Sequence, residues 1–337
     1  MKNTLLMTTK KIIICGDSYL SDVIRIKLMG ADRRFKGNHV QVILKNIPKN
    51  VGRRLTFRSH EFFKNEINFY EKVLPALLQF QSTKEVKDPF DKYLAYLSKG
   101  SLTGVHVTLK VMAQFHALSF AMKDQKPEEF EKIKNEISEM YYHERLREWY
   151  TRFWNRISKI AINAVEREYP NSIYVEKVKQ FAVPERYNDM IDAACNTNAT
   201  GVISHGDSWT NNFLYKYSDG RPIDAKIIDF QLARCASPVL DVSFVIYSCT
   251  SQDLRELHYD DLLKHYYEVL STQIREMGSD PNKVYSWDTF MGEIKKYSYF
   301  GLAFSFESTP FIVLDPDDAV DMEVEVIIWF SCMFILD

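Results

Sequence analysis

Two strand-like runs, Asn212 to Tyr217 and Pro222 to Asp229, flank the pair Asp219-Gly220, and no other stretch of the chain constrains its fold as tightly. Asp and Gly accept the positive φ that a two-residue hairpin turn demands, so the runs fold back on each other. Counting outward from that turn sets Asn212 opposite Ile227 and leaves Asp229 one diagonal step from Asn212. Asp207 lies just upstream, within His205-Gly206-Asp207-Ser208-Trp209-Thr210-Asn211-Asn212. A carboxylate, an amide oxygen and a second carboxylate are expected to converge. Oxygen ligands of this kind suit Mg²⁺.

The spacing Asp-x-x-x-x-Asn followed by Asp-Phe fits a division of labour in phosphoryl transfer. The first Asp, Asp207, would accept the proton of a substrate hydroxyl, while Asn212 and Asp229 would hold magnesium on the phosphates of ATP. Two residues nearer the amino terminus can be placed by periodicity. In the run Val40 to Lys45, alternation puts Ile43 and Lys45 on the face opposite Val42 and Leu44, so Lys45 can present its ammonium to phosphates. On the helix expected from His60 to Val73, Glu66 has Phe62 and Phe63 behind it and Phe69 and Tyr70 ahead, which sets a carboxylate on the apolar stripe. A half-buried carboxylate needs a cation, and Lys45 is the expected partner. The plain structural alternative is an exposed strand lysine and a snorkelling glutamate.

Pattern along the chain changes once. Up to about residue 98, strand-like runs (Lys11 to Cys15, Val23 to Leu28, Val40 to Lys45) precede a single helix; beyond it helices dominate, with Val105 to Met122 the clearest. The fold class expected is α+β, with a β-rich lobe at 1–98 and a helical lobe at 99–337 that carries the hairpin. Lys123 to Glu148 and Trp149 to Glu176 read as amphipathic helices, and the acidic run Asp315 to Glu325 as a solvated loop and helix start. The 337 residues, 46% hydrophobic, are enough for two cores, and a net charge of −2 removes the electrostatic case for nucleic-acid binding. Five scattered cysteines without a Cys-x-x-Cys pair disfavour a disulfide framework or a zinc site, and Met1 to Lys11 has no signal-like apolar run, so a reduced cytoplasmic chain is expected. The apolar run Val326 to Leu336 is too short to span a bilayer.

Several other residues read as support. His205 stands where it would organise the loop, Asp241 after Ser237-Pro238 would accept hydrogen bonds from loop backbone, and His116 would be a satisfied core histidine. Cys15-Gly16-Asp17-Ser18-Tyr19-Leu20-Ser21 could cover phosphates with backbone N–H groups and the Ser18 and Ser21 hydroxyls, although it has one glycine, Gly16, where protein kinases have three. No Walker A sequence occurs, which excludes a P-loop NTPase.

The block His205 to Asn212, with Ile228-Asp229-Phe230-Gln231 and Ser237-Pro238-x-x-Asp241, resembles the ecdysteroid kinase-like (choline-kinase-like) family. Gly16 to Ser21, Leu44 to Pro48, Phe69 to Pro75 and Ala113 to Ala117 have counterparts there in the same order. The resemblance implies the aminoglycoside-phosphotransferase version of the kinase fold, with ATP and Mg²⁺ as cofactors and a hydroxyl of a small molecule, such as an ecdysteroid, as acceptor. It also implies that Lys45 and Glu66 pair to hold the α- and β-phosphates. The chain departs from the family between Pro75 and Ala113, where the Glu-Asp-Leu hinge that hydrogen-bonds adenine does not occur within Ala76 to Met112. A leading helix and a final helix are also lacking by that comparison, which implies a shortened form. The alternative reading is therefore a pseudokinase or small-molecule-binding protein. A protein kinase is the weaker third reading, because Asp229-Phe230-Gln231 has no Gly at its third position and no Ala-Pro-Glu follows.

Overall fold

The computed structural model describes residues 6–11, 21–29, 39–56, 58–84, 102–195 and 199–312. The chain divides into two compact units, one reaching to Phe63 and one running from Lys64 to Ile312. In the first, β1 (Leu6–Lys11), β2 (Asp22–Met29) and β3 (His39–Asn46) form an antiparallel sheet in that order, with Val23 opposite Lys45. The strands expected at Val23 to Leu28 and Val40 to Lys45 lie inside β2 and β3. Of the strand expected at Lys11 to Cys15, only Lys11 is described: it is the last residue of β1, whose pairing begins at Leu6, and 12–15 lie outside the described residues. Leu6-Met7-Thr8-Thr9-Lys10-Lys11 has no apolar alternation, and its pairing with β2 is what makes it a strand. Ile43 and Leu44 are both exposed, so the alternation expected there is not expressed as burial. A short helix, α1 (Val51–Thr56), follows.

Helix α2 (Ser59–Asn68) continues through a π-helical turn at Phe69–Val73 into α3 (Leu74–Ser82). The second unit then adds α4 (Leu102–Gln125), α5 (Pro127–Lys134), α6 (Arg147–Glu168), α7 (Ile173–Phe181) and α8 (Glu185–Ala194). Strand β4 (Val202–Ser204) pairs with the later β7 (Arg234–Ala236), and between them β5 (Phe213–Ser218) and β6 (Arg221–Ile227) form the hairpin. Helices α9 (Pro238–Cys249), α10 (Gln252–Glu276), α11 (Pro281–Val284), α12 (Trp287–Tyr297) and α13 (Tyr299–Ile312) complete it. The α+β class read from the sequence is the class observed.

Helix α4 is the axis of this unit. It encloses the expected Val105 to Met122 helix and is apolar on most sides, so it is buried rather than half-buried, packed by α10, β6, α5 and α9. On the opposite flank α13 lies against α9 so closely that a Cβ on Gly301 would sit 2.2 Å from the Ser243 carbonyl; glycine is required for that approach. The two amphipathic helices expected from Lys123 to Glu176 are broken differently. Pro127 starts α5, which stops at Lys134, and Pro170 with left-handed Asn171 (φ 56°) separates α6 from α7. Among the described residues no helix is long and apolar enough to cross a membrane. The runs at Asp315 to Glu325 and Val326 to Leu336 lie outside the described residues.

Candidate active site

Gly206 has φ +83°, and a Cβ there would fall 2.0 Å from the Leu232 carbonyl oxygen. The His205–Asp207 loop can therefore pass the segment after the hairpin only with glycine at this position. Asp241, on the first turn of α9, captures that loop: its Oδ2 accepts the His205 N–H at 2.7 Å and its Oδ1 the Gly206 N–H at 2.9 Å. His116 Nε2 adds a third bond to Asp241 at 3.1 Å, and His116 Nδ1 meets the Tyr266 hydroxyl at 2.8 Å. Both supporting roles expected of Asp241 and His116 are the roles seen. Burial alone would raise the Asp241 pKa, but the His116 hydrogen bond and the positive charge of Arg234 hold this carboxyl well below the usual range.

His205 is fully buried and bridges the two ends of the hairpin. Its Nδ1 accepts the Asp207 N–H at 3.2 Å, and its Nε2–H donates to the Ile228 carbonyl at 2.8 Å. Burial lowers its pKa against the pull of Asp241, so the ring is a neutral organiser, as its place in the loop implied. Asn212 Nδ2 donates to the Asp207 carbonyl at 2.9 Å and to Asp207 Oδ2 at 3.0 Å. With the nitrogen so used, the amide presents Oδ1 as its acceptor.

The hairpin forms around Asp219 (φ 50°) and Gly220 (φ 72°), the positive-φ pair expected of the turn. Its register differs from expectation by one residue. Ser218 pairs with Arg221 and Tyr217 with Pro222, but Lys216 then pairs with Asp224, and Phe213 rather than Asn212 stands opposite Ile227. Ile223 is the extra residue of a bulge, which Pro222 favours because it brings no N–H to the ladder. Asn212 consequently ends a 3-10 turn, Thr210–Asn212, and its carbonyl accepts the Ile228 N–H at 3.0 Å. The slip leaves Asp229 directly after the residue bonded to Asn212.

Asp229 is left-handed (φ 66°, ψ 65°), a conformation that costs a residue other than glycine about 1–3 kcal/mol unless its surroundings enforce it. Enforcement begins with Phe230, which is fully buried and stacks on Phe69 with centroids 3.8 Å apart and planes 7° apart. Phe115 and the His205 ring meet Phe230 edge-on at 5.5 and 4.8 Å. Burial, then the negative charges of Glu66 and Asp229, push the Tyr70 hydroxyl well up, which places it in the field of both carboxylates. Glu66 itself is buried.

Asp207 and Asn212 are joined by direct hydrogen bonds, and Asp229 follows Ile228, whose N–H bonds the Asn212 carbonyl. Lys45 lies on β3 in the first unit, its Nζ 5.7 Å from the Phe63 ring centroid, and Glu66 lies in the second. Ser21 is buried just before β2, whereas Gly16 and Ser18 lie outside the described residues. So do 85–101, nearly half of the segment in which the hinge was sought. Among the described residues no cluster of three His, Cys, Asp or Glu side chains could hold a metal. One amide oxygen and one carboxylate is a donor set of hard oxygens, too sparse for a closed protein site and fitted to Mg²⁺ that takes its remaining ligands from phosphate and water.

Two buried groups gave no signal in the sequence. Arg234, directly after the Asp229 loop, pairs with Glu139 at 2.9 Å with both side chains nearly inaccessible, and Glu139 Oε1 also caps the N–H groups of Tyr141 and Tyr142. Glu307 on α13 accepts from the Tyr141 hydroxyl at 2.7 Å, while burial pushes its carboxyl up to about 8.

A profile of the ecdysteroid kinase-like family matches residues 15–100 and 94–279. Similar solved structures include Plasmodium vivax ethanolamine kinase, at 14% identity over 93% of this chain and 84% of that one, with a TM-score of 0.36. The GDP and kanamycin complex of APH(2")-IIia shares 12% identity over 90% and 93% of the two chains, with a TM-score of 0.34. The GDP complex of aminoglycoside 2'-phosphotransferase-IIIa shares 13% over 92% and 93%, with a TM-score of 0.37. No curated protein matches the chain.

Proposed function

The chain belongs to the ecdysteroid kinase-like family, and from that premise we propose that it transfers the γ-phosphoryl group of ATP to a hydroxyl of a small molecule, an ecdysteroid or another hydroxylated compound. The observation that carries this reading is the bonded set Asp207–Asn212, with Asp229 directly after Ile228, whose N–H bonds the Asn212 carbonyl. Asp207 orients the acceptor hydroxyl and takes its proton. Asn212, through Oδ1, and Asp229 hold magnesium. When bound, Mg²⁺ neutralises charge on the β- and γ-phosphates. Lys45 adds a positive charge on the α- and β-phosphates and Glu66 holds that lysine, with the Gly16 to Ser21 segment over the phosphates. Residues 1–98 form the nucleotide side and 99–337 the acceptor side. Catalysis of this kind is positioning plus charge stabilisation, with little covalent work for the protein.

A second reading, a binding protein on the same scaffold, is favoured by one observation: Ala76 to Met112 contains no Glu-Asp-Leu to read adenine. Titration of the purified chain with ATP, with and without Mg²⁺, separates the two. The kinase reading expects Mg²⁺-dependent binding that Asp229→Ala weakens about tenfold or more, equivalent to the ~1.4 kcal/mol of one charge-assisted contact. Absence of nucleotide binding moves the chain to the second reading, and full Mg²⁺-dependent phosphoryl transfer by a folded Asp229→Ala protein would remove Asp229 from the metal site.

A further inference from the structure

Helix α2 reaches the Asp229 loop with a side chain that the reaction scheme does not use. Asn65 is 3% exposed, and every polar atom of its amide is engaged. Its Nδ2 donates to the carbonyls of Gln231 at 3.1 Å and Ala233 at 2.8 Å, while its Oδ1 accepts the Ser138 N–H at 3.2 Å. Gln231 belongs to the 3-10 turn Phe230–Leu232 that starts immediately after Asp229, and Ala233 closes it. One turn along the same helix, Phe69 stacks on Phe230 and Tyr70 meets the Phe230 ring edge-on at 5.9 Å. Asn68 fixes the helix a second time, donating to the Glu136 carbonyl at 2.8 Å.

The geometry points to Asn65 as the positioning residue of Asp229: its two hydrogen bonds clamp the 3-10 turn that keeps Asp229 left-handed and aimed at the metal shared with Asn212. This rests on the proposed metal role of Asp229. The case is one of stereochemistry. Aspartate enters the left-handed region more readily than most residues, as exposed Asp219 does in the turn, so holding Asp229 in one orientation takes restraint of the backbone that follows it. Ring stacking restrains Phe230 against displacement without fixing its backbone orientation. Carbonyl bonds from a rigid helix do fix it. Only asparagine suits the position: aspartate would turn an acceptor toward two carbonyls, leucine would fill the space without a donor, and serine would not span it. The residue beside it, Glu66, is the one to which the proposed reaction scheme gives the lysine-ordering role. The π-helical turn at Phe69–Val73 begins at the ring that stacks on Phe230.

The test compares wild type, Asn65→Leu and Asp229→Asn, all as the full chain. Asn65→Leu is expected to raise the Mg²⁺ concentration for half-maximal ATP binding about tenfold, the consequence of two lost hydrogen bonds, while ATP affinity without Mg²⁺ stays within about twofold. In the metal-free protein, amide hydrogen exchange at Phe230 to Ala233 should quicken about tenfold while exchange in β5 and β6 is unchanged. If Asn65→Leu does not fold, Asn65→Ser replaces it under the same expectations. A folded variant whose Mg²⁺ dependence and loop exchange both match wild type overturns the assignment. Should Asp229→Asn shift the Mg²⁺ dependence and Asn65→Leu not, the positioning role alone falls; should neither shift it, the metal role of Asp229 falls and this inference with it.

Discussion

Upstream of the hairpin, His205 and Gly206 are fixed by the two oxygens of one buried carboxylate, Asp241, whose charge is balanced by His116 and Arg234. Downstream, Phe230 is held by a plug of aromatic rings from Phe69, Phe115 and His205. The upstream loop therefore depends on ionisation, and the downstream segment on ring packing and the uncharged hydrogen bonds of Asn65. Each anchor suits the residue it serves. Asp207 needs a backbone of fixed direction, which hydrogen bonds to a carboxylate supply, whereas the left-handed Asp229 is followed by a segment restrained by packing of Phe230 and by the Asn65 hydrogen bonds to Gln231 and Ala233.

Asp241→Ala should have the largest effect. It strands the His205 and Gly206 N–H groups and the His116 ring, and losing the centre of a buried charged network costs about 3–5 kcal/mol. Chemical denaturation monitored by circular dichroism checks it; a loss under about 1 kcal/mol would mean that the loop is held by something other than this carboxylate.

The ionisation contrast gives the second prediction. Asp241 has a depressed folded pKa, so its stabilisation is complete above its ordinary value of 3.8 and is lost as pH falls below it. Wild type should lose up to about 1.4 kcal/mol per pH unit through this one group between pH 4 and 2, and Asp241→Asn should lack that component. Equal acid slopes in the two proteins would break the comparison at its polar end.

Phe230→Leu should be the mildest, at about 1–2 kcal/mol, because leucine refills most of the site and forfeits the stack on Phe69. Its offset from wild type should be the same at pH 4 and pH 7. A pH-dependent offset would show that the aromatic plug and the carboxylate latch are one network.

Much of this arrangement was legible in the residues. Asp219-Gly220 announced the turn, the closeness of Asp207 and Asn212 in sequence announced their contact, and Asp241 and His116 were placed correctly as support. The bulge at Ile223 was not, because neither a glycine nor a break in alternation marks it, and Pro222 is equally at home at a strand start. β1 escaped notice because its residues carry strand structure only through pairing with β2. Asn65 was hidden for another reason: an asparagine in a charged helix looks solvated, and its partners lie 166 and 168 residues away. The Arg234–Glu139 pair is likewise a product of the tertiary fold, since nothing local distinguishes a buried ion pair from two surface charges.

Glu307 carries a consequence for calorimetry. Folded, its carboxyl keeps a proton up to about pH 8; unfolded, it releases that proton near its ordinary value of 4.5. Between those values stability falls as pH rises, because the unfolded chain binds fewer protons than the native one. Unfolding at neutral pH therefore delivers close to one proton from this side chain to the solvent. The heat measured at the transition includes the heat with which the buffer accepts that proton, so unfolding enthalpies at one pH and one temperature will differ between a buffer that protonates with little heat and an amine buffer that protonates with much.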